Sequence, residues 1–262
     1  MNTKGETAIV ASLLTLFFLA GCTNTTPGSF PPLQKALYAL RSDWAVTVQK
    51  VTVEEWEEDS NYYYAFEPKG TTPETGFIFY PGGAVDPRAY APFARAIAEK
   101  GFLTVIVKMP GDFAITARDR ATTVIDSYAE IETWAIGGHS LGGVSSCAYA
   151  QKNSEKVDSI VLWAAYPSAS FRIDDKDLPV ISIYGTNDGV VTLDDIQASV
   201  EHLPADTQWV PIDGGNHTQF GWYDTSPDPL QPDDKPADIT RDQQQEHVVG
   251  ATGSFLESLG SE

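Results

Sequence analysis

The segment AIGGHSLGGV, residues 135–144, decides the reading of this chain. It sets Ser140 in the pattern Gly138-His139-Ser140-Leu141-Gly142, with a glycine two residues to either side of the serine. Five residues with three fixed positions say little alone; their flanks give them meaning. Upstream, TWAIGG (133–138) is a short apolar run of strand character, and downstream residues 141–152 read as a helix. A serine between a strand and a helix occupies a turn so tight that side chains at Gly138 and Gly142 would collide. Its hydroxyl then emerges at the carboxyl edge of a sheet. The Leu141 N–H, at the start of the helix, is placed to receive negative charge developing there.

The rest of the chain supplies such a sheet. WAVTVQKVTVEEW (44–56) alternates valine with polar residues and reads as a half-exposed strand, with YYYAF (62–66) as its partner. GFIFYPGG (76–83) is a buried strand ending in a Pro-Gly-Gly turn. Asp86 and Pro87 then open a helix expected to run to residue 100. FLTVIVK (102–108), VDSIVLWAAYP (157–167), LPVISIYG (178–185) and TQWVPI (207–212) are further strands; residues 117–130, 193–202 and 239–259 are further helices. Continuous apolar strands alternating with amphipathic helices imply an α/β fold with a mostly parallel central sheet covered on both faces.

A serine hydroxyl needs a base. Of four histidines, His139 lies inside the serine turn and is expected to point away from the serine. His202 and His247 fall in helices. His217, in PIDGGNHTQFGW, follows the last strand in a glycine-rich loop and is the candidate base. Asp188, in ISIYGTNDGVV, follows the preceding strand and is the candidate acid that orients it. Asp213 competes, but it lies four residues before His217 and is better suited to capping its own loop. The second oxyanion donor is expected in the turn after residue 80, from Gly83 first and Ala84 second, with Pro81 preceding them.

The order Ser140, Asp188, His217 and the segments quoted above resemble the α/β-hydrolase superfamily from about residue 76 to the C-terminus. The similarity is closest to its compact, lid-less group, which includes dienelactone-hydrolase-like enzymes. That resemblance implies an α/β-hydrolase fold with no large cap domain and a carboxylesterase-like serine hydrolase acting on a small-molecule ester. Dienelactone hydrolases carry a cysteine nucleophile where this chain has Ser140, which favours ester chemistry. The alternative is a non-catalytic binding lipoprotein that keeps the fold as a scaffold. No metal or organic cofactor is expected, since the sequence has no H-E-x-x-H, no cysteine cluster and no G-x-G-x-x-G.

Composition narrows the partners. Thirty-six acidic against 17 basic residues give a formal charge of −19, which excludes the basic footprint of a nucleic-acid binder. The first 22 residues read as an export signal: Lys4, a 13-residue mostly apolar stretch (8–20), then Leu19-Ala20-Gly21-Cys22. The last four resemble a prokaryotic lipobox, which implies lipidation of Cys22 and a membrane anchor on an exported protein. The expected organisation is a signal peptide at 1–21, a lipidated N-terminus and tether at 22–40, and one hydrolase domain at 41–262. Cys147 is then the only other thiol, read as a small core residue. The segment after residue 166 is too short for a lid. A Pro- and Asp-rich insertion, residues 223–239, is either a cleft wall or a solvated connector. Phe220, Trp222, Trp163 and Tyr166 are candidates to line an acyl pocket, with core packing the better role for Trp163.

Overall fold

The computed structural model describes residues 29–228 and 230–260. The segment read as an export signal, with Cys22, lies outside the described residues. Eight strands form one sheet: β1 (Val46–Thr52), β2 (Tyr62–Pro68), β3 (Thr75–Tyr80), β4 (Leu103–Val107), β5 (Thr133–His139), β6 (Ser159–Trp163), β7 (Val180–Gly185) and β8 (Gln208–Ile212). Their order across the sheet is β1-β2-β4-β3-β5-β6-β7-β8. β2 is antiparallel to both its neighbours, and every pairing from β4 through β8 is parallel.

The period-2 burial of the strands splits the core into two layers. Phe77 and Phe79 of β3 face one side with Ile106, Val161 and Trp163. Ile78 and Tyr80 face the other with Val105, Ile136 and Leu162. The first layer is closed by helices α1 (Gln34–Ala39), α2 (Ala91–Ala98) and α6 (Arg241–Leu259). The second is closed by α3 (Arg120–Ser127) and α4 (Leu141–Lys152). α5 (Leu193–Ser199) follows β7 behind a capping box made by Thr192 and Asp195. Cys147 is fully buried in the second layer, where burial pushes its thiol pKa up. The wider helices expected from sequence are shorter here: residues 87–90 and 200–202 are single 3₁₀ turns, and residues 117–119 precede α3.

The N-terminal boundary of the domain needs correction. Residues 30–40, expected as tether, are docked on the body. Phe30 N–H donates to Ala84 O at 2.7 Å, and Leu33 N–H donates to Trp222 O at 2.8 Å. Ala36 of α1 is wholly buried in the first core layer. A six-residue helix is too short to stand alone in water, so this packing is what holds it. Between β6 and β7 there is one 3₁₀ turn, Ala169–Phe171, and no inserted domain.

The topology sets the site. After β3 the chain builds β4 on one side and β5 on the other, so the strand order reverses at β3. The carboxyl ends of β3 and β5 therefore diverge side by side, with Tyr80 paired to Gly138. A reversal of this kind opens a crevice at the ends of the strands, where ligands of open α/β sheets bind.

Candidate active site

Ser140 stands between β5 and α4 with φ 52° and ψ −122°, a left-handed conformation that a non-glycine residue adopts only when its surroundings force it. Two things force it. The Ser140 N–H donates to Trp163 O at 3.0 Å, continuing the β5–β6 ladder through the turn. The flanking glycines let α4 press on β3: a Cβ on Gly142 would lie 2.5 Å from Pro81 O, and one on Gly138 would lie 2.5 Å from Tyr80 O. Ala84 (φ 55°) and Ala164 (φ 44°), at the ends of the neighbouring strands, share the left-handed geometry. Strain thus gathers at this edge of the sheet. Ser140 is half-buried, and its hydroxyl makes no hydrogen bond within the described chain.

His217 and Asp188 come together from the loops after β8 and β7. His217 Nδ1 lies 2.8 Å from Asp188 Oδ2, and both side chains are almost wholly buried. The other oxygen, Asp188 Oδ1, accepts the N–H groups of Val190 and Val191 at 2.8 and 2.7 Å. The carboxylate is thereby fixed as an acceptor, so Nδ1 carries the ring proton and Nε2 keeps its lone pair. Burial pushes the His217 pKa down. The Asp188 charge and hydrogen bond, with the Asp234 charge, outweigh that and leave it above the ordinary imidazole value. Asp213, the competing acid, is exposed and receives only a 3.4 Å hydrogen bond from Thr186. His202 is partly buried against Pro167 O, and His247 is exposed on α6.

His139, expected to point away from the serine, has neighbours of its own: its ring centroid is 4.5 Å from that of His217, and Phe220 stacks on it at 5.5 Å. Its Nδ1 is 2.9 Å from the Tyr90 hydroxyl, which also accepts the Gly82 N–H at 3.0 Å. Burial, then the neighbouring His217, holds the His139 pKa far below the ordinary value, so the ring is neutral. The Tyr90 hydroxyl, already accepting from Gly82, has its proton for Nδ1, which leaves the His139 proton on Nε2, a buried atom with no hydrogen-bond partner among the described residues. One buried chain of groups, Gly82–Tyr90–His139, thus ties the turn after β3 to the floor beneath the histidine loop. Pattern reading missed it because the residue before the serine in G-x-S-x-G is left open by the pattern, and Tyr90 is one aromatic among many.

The turn after β3 also sorts its amides. Gly82 N–H is taken by Tyr90, and Ala84 N–H donates to Asp112 O at 2.9 Å, which removes Ala84 as an oxyanion donor. Gly83 N–H has no partner among the described residues, and a Cβ on Gly83 would touch Leu141 Cδ2 at 3.2 Å. Gly83 and Leu141 therefore remain as adjacent amides at the serine turn. Of the pocket candidates, Phe220 is fully buried under His139 and Trp163 fully buried among Phe77, Phe79 and Phe93. Trp222 packs beneath Lys35 and donates to Gln245. These three are core, and Tyr166 alone is partly exposed. Among the described residues no group of three or more His, Cys, Asp or Glu side chains is placed to hold a metal ion.

Tyr90→Phe isolates the buried chain of groups. It leaves the Gly82 N–H without an acceptor in a buried turn, which costs about 1–3 kcal/mol. The expected result is a Tm lowered by several degrees, read by thermal melting, and a wild-type Tm would show that the hydroxyl holds nothing.

The geometry agrees with what comparison finds. A model of the alpha/beta hydrolase family matches residues 76–246. No curated protein matches the sequence. Solved structures of similar fold include a dienelactone hydrolase from Anabaena variabilis, with TM-score 0.61 and 15% identity over 81% of this chain and 97% of that one. A dienelactone hydrolase-like promiscuous phosphotriesterase from metagenomic libraries gives 0.59 and 18%, over 82% and 99%. A thermophilic esterase from the planctomycete Thermogutta terrifontis gives 0.57 and 14%, over 83% and 93%. At such identities the structures speak for the fold alone. The family model spans most of the chain and includes the strained serine turn and both loops of the buried pair, and this protein belongs to the alpha/beta hydrolase family.

Proposed function

We propose that the protein is a serine ester hydrolase of carboxylesterase type, with Ser140 as nucleophile, His217 as base and Asp188 as the acid that orients it. The observation that carries this is the buried 2.8 Å Asp188–His217 pair in the loops after β7 and β8, with a serine held at φ 52° in the turn after β5. In the proposed reaction Ser140 Oγ attacks the ester carbonyl while His217 Nε2 takes the hydroxyl proton. The amides of Leu141 and Gly83 bind the oxyanion. The imidazolium returns that proton to the departing alcohol. Water, deprotonated by the same nitrogen, then releases the acid and the serine. The lack of an inserted domain between β6 and β7 supports small or accessible esters as substrates.

The test is intact-mass analysis of the chain from residue 23 onward after exposure to a fluorophosphonate, which phosphonylates activated serines. One adduct on the wild type and none on Ser140→Ala is the expected result. A well-folded wild type that takes no adduct removes the catalytic reading and leaves the non-catalytic binding scaffold.

The lipobox-like Leu19-Ala20-Gly21-Cys22 supports a second proposal, that the mature chain is exported and anchored by lipid on Cys22. Full-length Cys22→Ser is then expected in the soluble fraction of cell extracts. If it partitions to membranes as the wild type does, the anchor is not at this residue.

A further inference from the structure

The 223–239 insertion, which sequence left as wall or connector, reaches back into the site through one carboxylate. Asp234 Oδ1 accepts the N–H of Gly189, beside the acid Asp188, at 3.2 Å, and the N–H of His217 itself, also at 3.2 Å. Its Oδ2 accepts the N–H and the hydroxyl of Thr218 at 2.8 and 2.6 Å. The two loops it joins follow different strands, β7 and β8, and the Asp188–His217 pair joins the same two loops a second time. Around this carboxylate the insertion is latched at further points. Asn216 Nδ2 donates to Lys235 O at 2.7 Å, and Asn187 Nδ2 to Asp238 Oδ2 at 2.8 Å. Asp238 N–H donates to Gly214 O at 2.8 Å. Gly189 must be glycine here, since a Cβ would collide with Asp233 O and lie 3.1 Å from Asp234 Cα.

We propose that Asp234 is a positioning residue: its carboxylate ties the acid turn to the histidine loop, and its charge joins that of Asp188 in stabilising the His217 imidazolium. This rests on the serine-hydrolase reading for its catalytic consequence, though not for its effect on the His217 ring. The tie sets where the imidazole stands, because His217 is held both through Nδ1 by Asp188 and through its main-chain N–H by Asp234. A displacement of about 1 Å in such a base lowers rate steeply without weakening substrate binding. Three titratable groups face the ring: Asp188 from the loop after β7, Asp234 from the insertion, and His139 from the end of β5. His139 is neutral, so the two carboxylates set the local charge. Removing the Asp234 charge destabilises the imidazolium, so the proton leaves His217 at lower pH. A base that must be neutral then becomes active at lower pH.

Asp234→Asn separates the charge from the fold. The amide oxygen keeps one half of the tie, while the amide nitrogen faces N–H donors on the other half. The expected result is kcat lowered about tenfold with KM nearly unchanged. The acid limb of the kcat/KM profile should move about 0.5–1 pH unit towards lower pH. Titration of the His217 ring by ¹H–¹⁵N NMR should move in the same direction. Asp234→Glu, which restores the charge on a longer arm, should return the limb towards its wild-type position. A folded Asp234→Asn with wild-type kcat and an unmoved limb overturns the proposal. So does a lowered Tm with both unmoved, which is what a purely structural residue would give. If the wild type proves not to hydrolyse esters, the serine-hydrolase reading fails, and the NMR titration still decides the effect of Asp234 on His217.

Discussion

Ser140→Ala is expected to lower kcat about a million-fold while leaving KM within a few-fold and the Tm nearly unchanged. The size follows from the proposed chemistry: alanine has no atom to attack with, and that mechanism leaves the amides of Leu141 and Gly83 acting on water, worth about 10³–10⁴ over the uncatalysed reaction. The indifference of stability follows from the structure. Ser140 Oγ makes no hydrogen bond among the described residues whose loss would cost anything, and the main-chain bond to Trp163 O survives the change. The left-handed φ of 52° is no harder for alanine than for serine, and alanine already sits at 55° and 44° at positions 84 and 164. His217→Ala would be a poorer test, because it leaves the Asp188 carboxylate buried without its partner and threatens the fold. Kinetics with a small chromogenic ester, beside thermal melting of the same samples, check this. A variant that keeps more than about a tenth of wild-type kcat would remove Ser140 from the reaction.

Much of this architecture was legible because tight packing leaves few choices of residue. The glycines at 138 and 142 are readable since any Cβ there would run into the carbonyls that end β3. The alternation of Phe77, Ile78, Phe79 and Tyr80 between two core layers is the same constraint in a strand. His217 stood out because a glycine-rich loop at a strand end is where an imidazole can reach the serine turn. What stayed hidden depends on contacts between segments distant in sequence. Thr, Pro and Gly around residues 23–32 have the composition of a tether, and nothing local shows that Phe30 will meet Val85 or that Pro32 will meet Tyr223. In the Pro81-Gly82-Gly83-Ala84 turn, composition does not say which amide is spent internally; that required seeing Tyr90 and Asp112. Asp234 was hidden for a third reason. Side-chain-to-backbone bonds carry no period, so an aspartate that braces two loops looks in sequence like any other acid in a polar segment.

Asp188→Asn is expected to lower kcat about ten-thousand-fold, against a change of less than about twofold for Asp213→Asn. The argument turns on which oxygen becomes nitrogen. Asp188 Oδ1 receives two main-chain N–H groups, from Val190 and Val191, so the amide oxygen of asparagine must take that place. Its NH₂ then occupies the position of Oδ2, 2.8 Å from His217 Nδ1, and points a donor at it. To accept that donor the ring must release its proton from Nδ1 and carry it on Nε2. An imidazole protonated on Nε2 has no lone pair there and cannot take the hydroxyl proton in the proposed reaction. The same change removes the charge that holds the His217 pKa up against burial, so the imidazolium of the transition state loses its stabiliser as well. Asp213 offers neither effect: it is exposed, and among the described residues its side chain meets Thr186 Oγ1 at 3.4 Å. Measured on one ester at one pH, the ratio of the two losses decides the acid. If Asp213→Asn falls by more than Asp188→Asn, the buried pair is structural and His217 answers to another carboxylate.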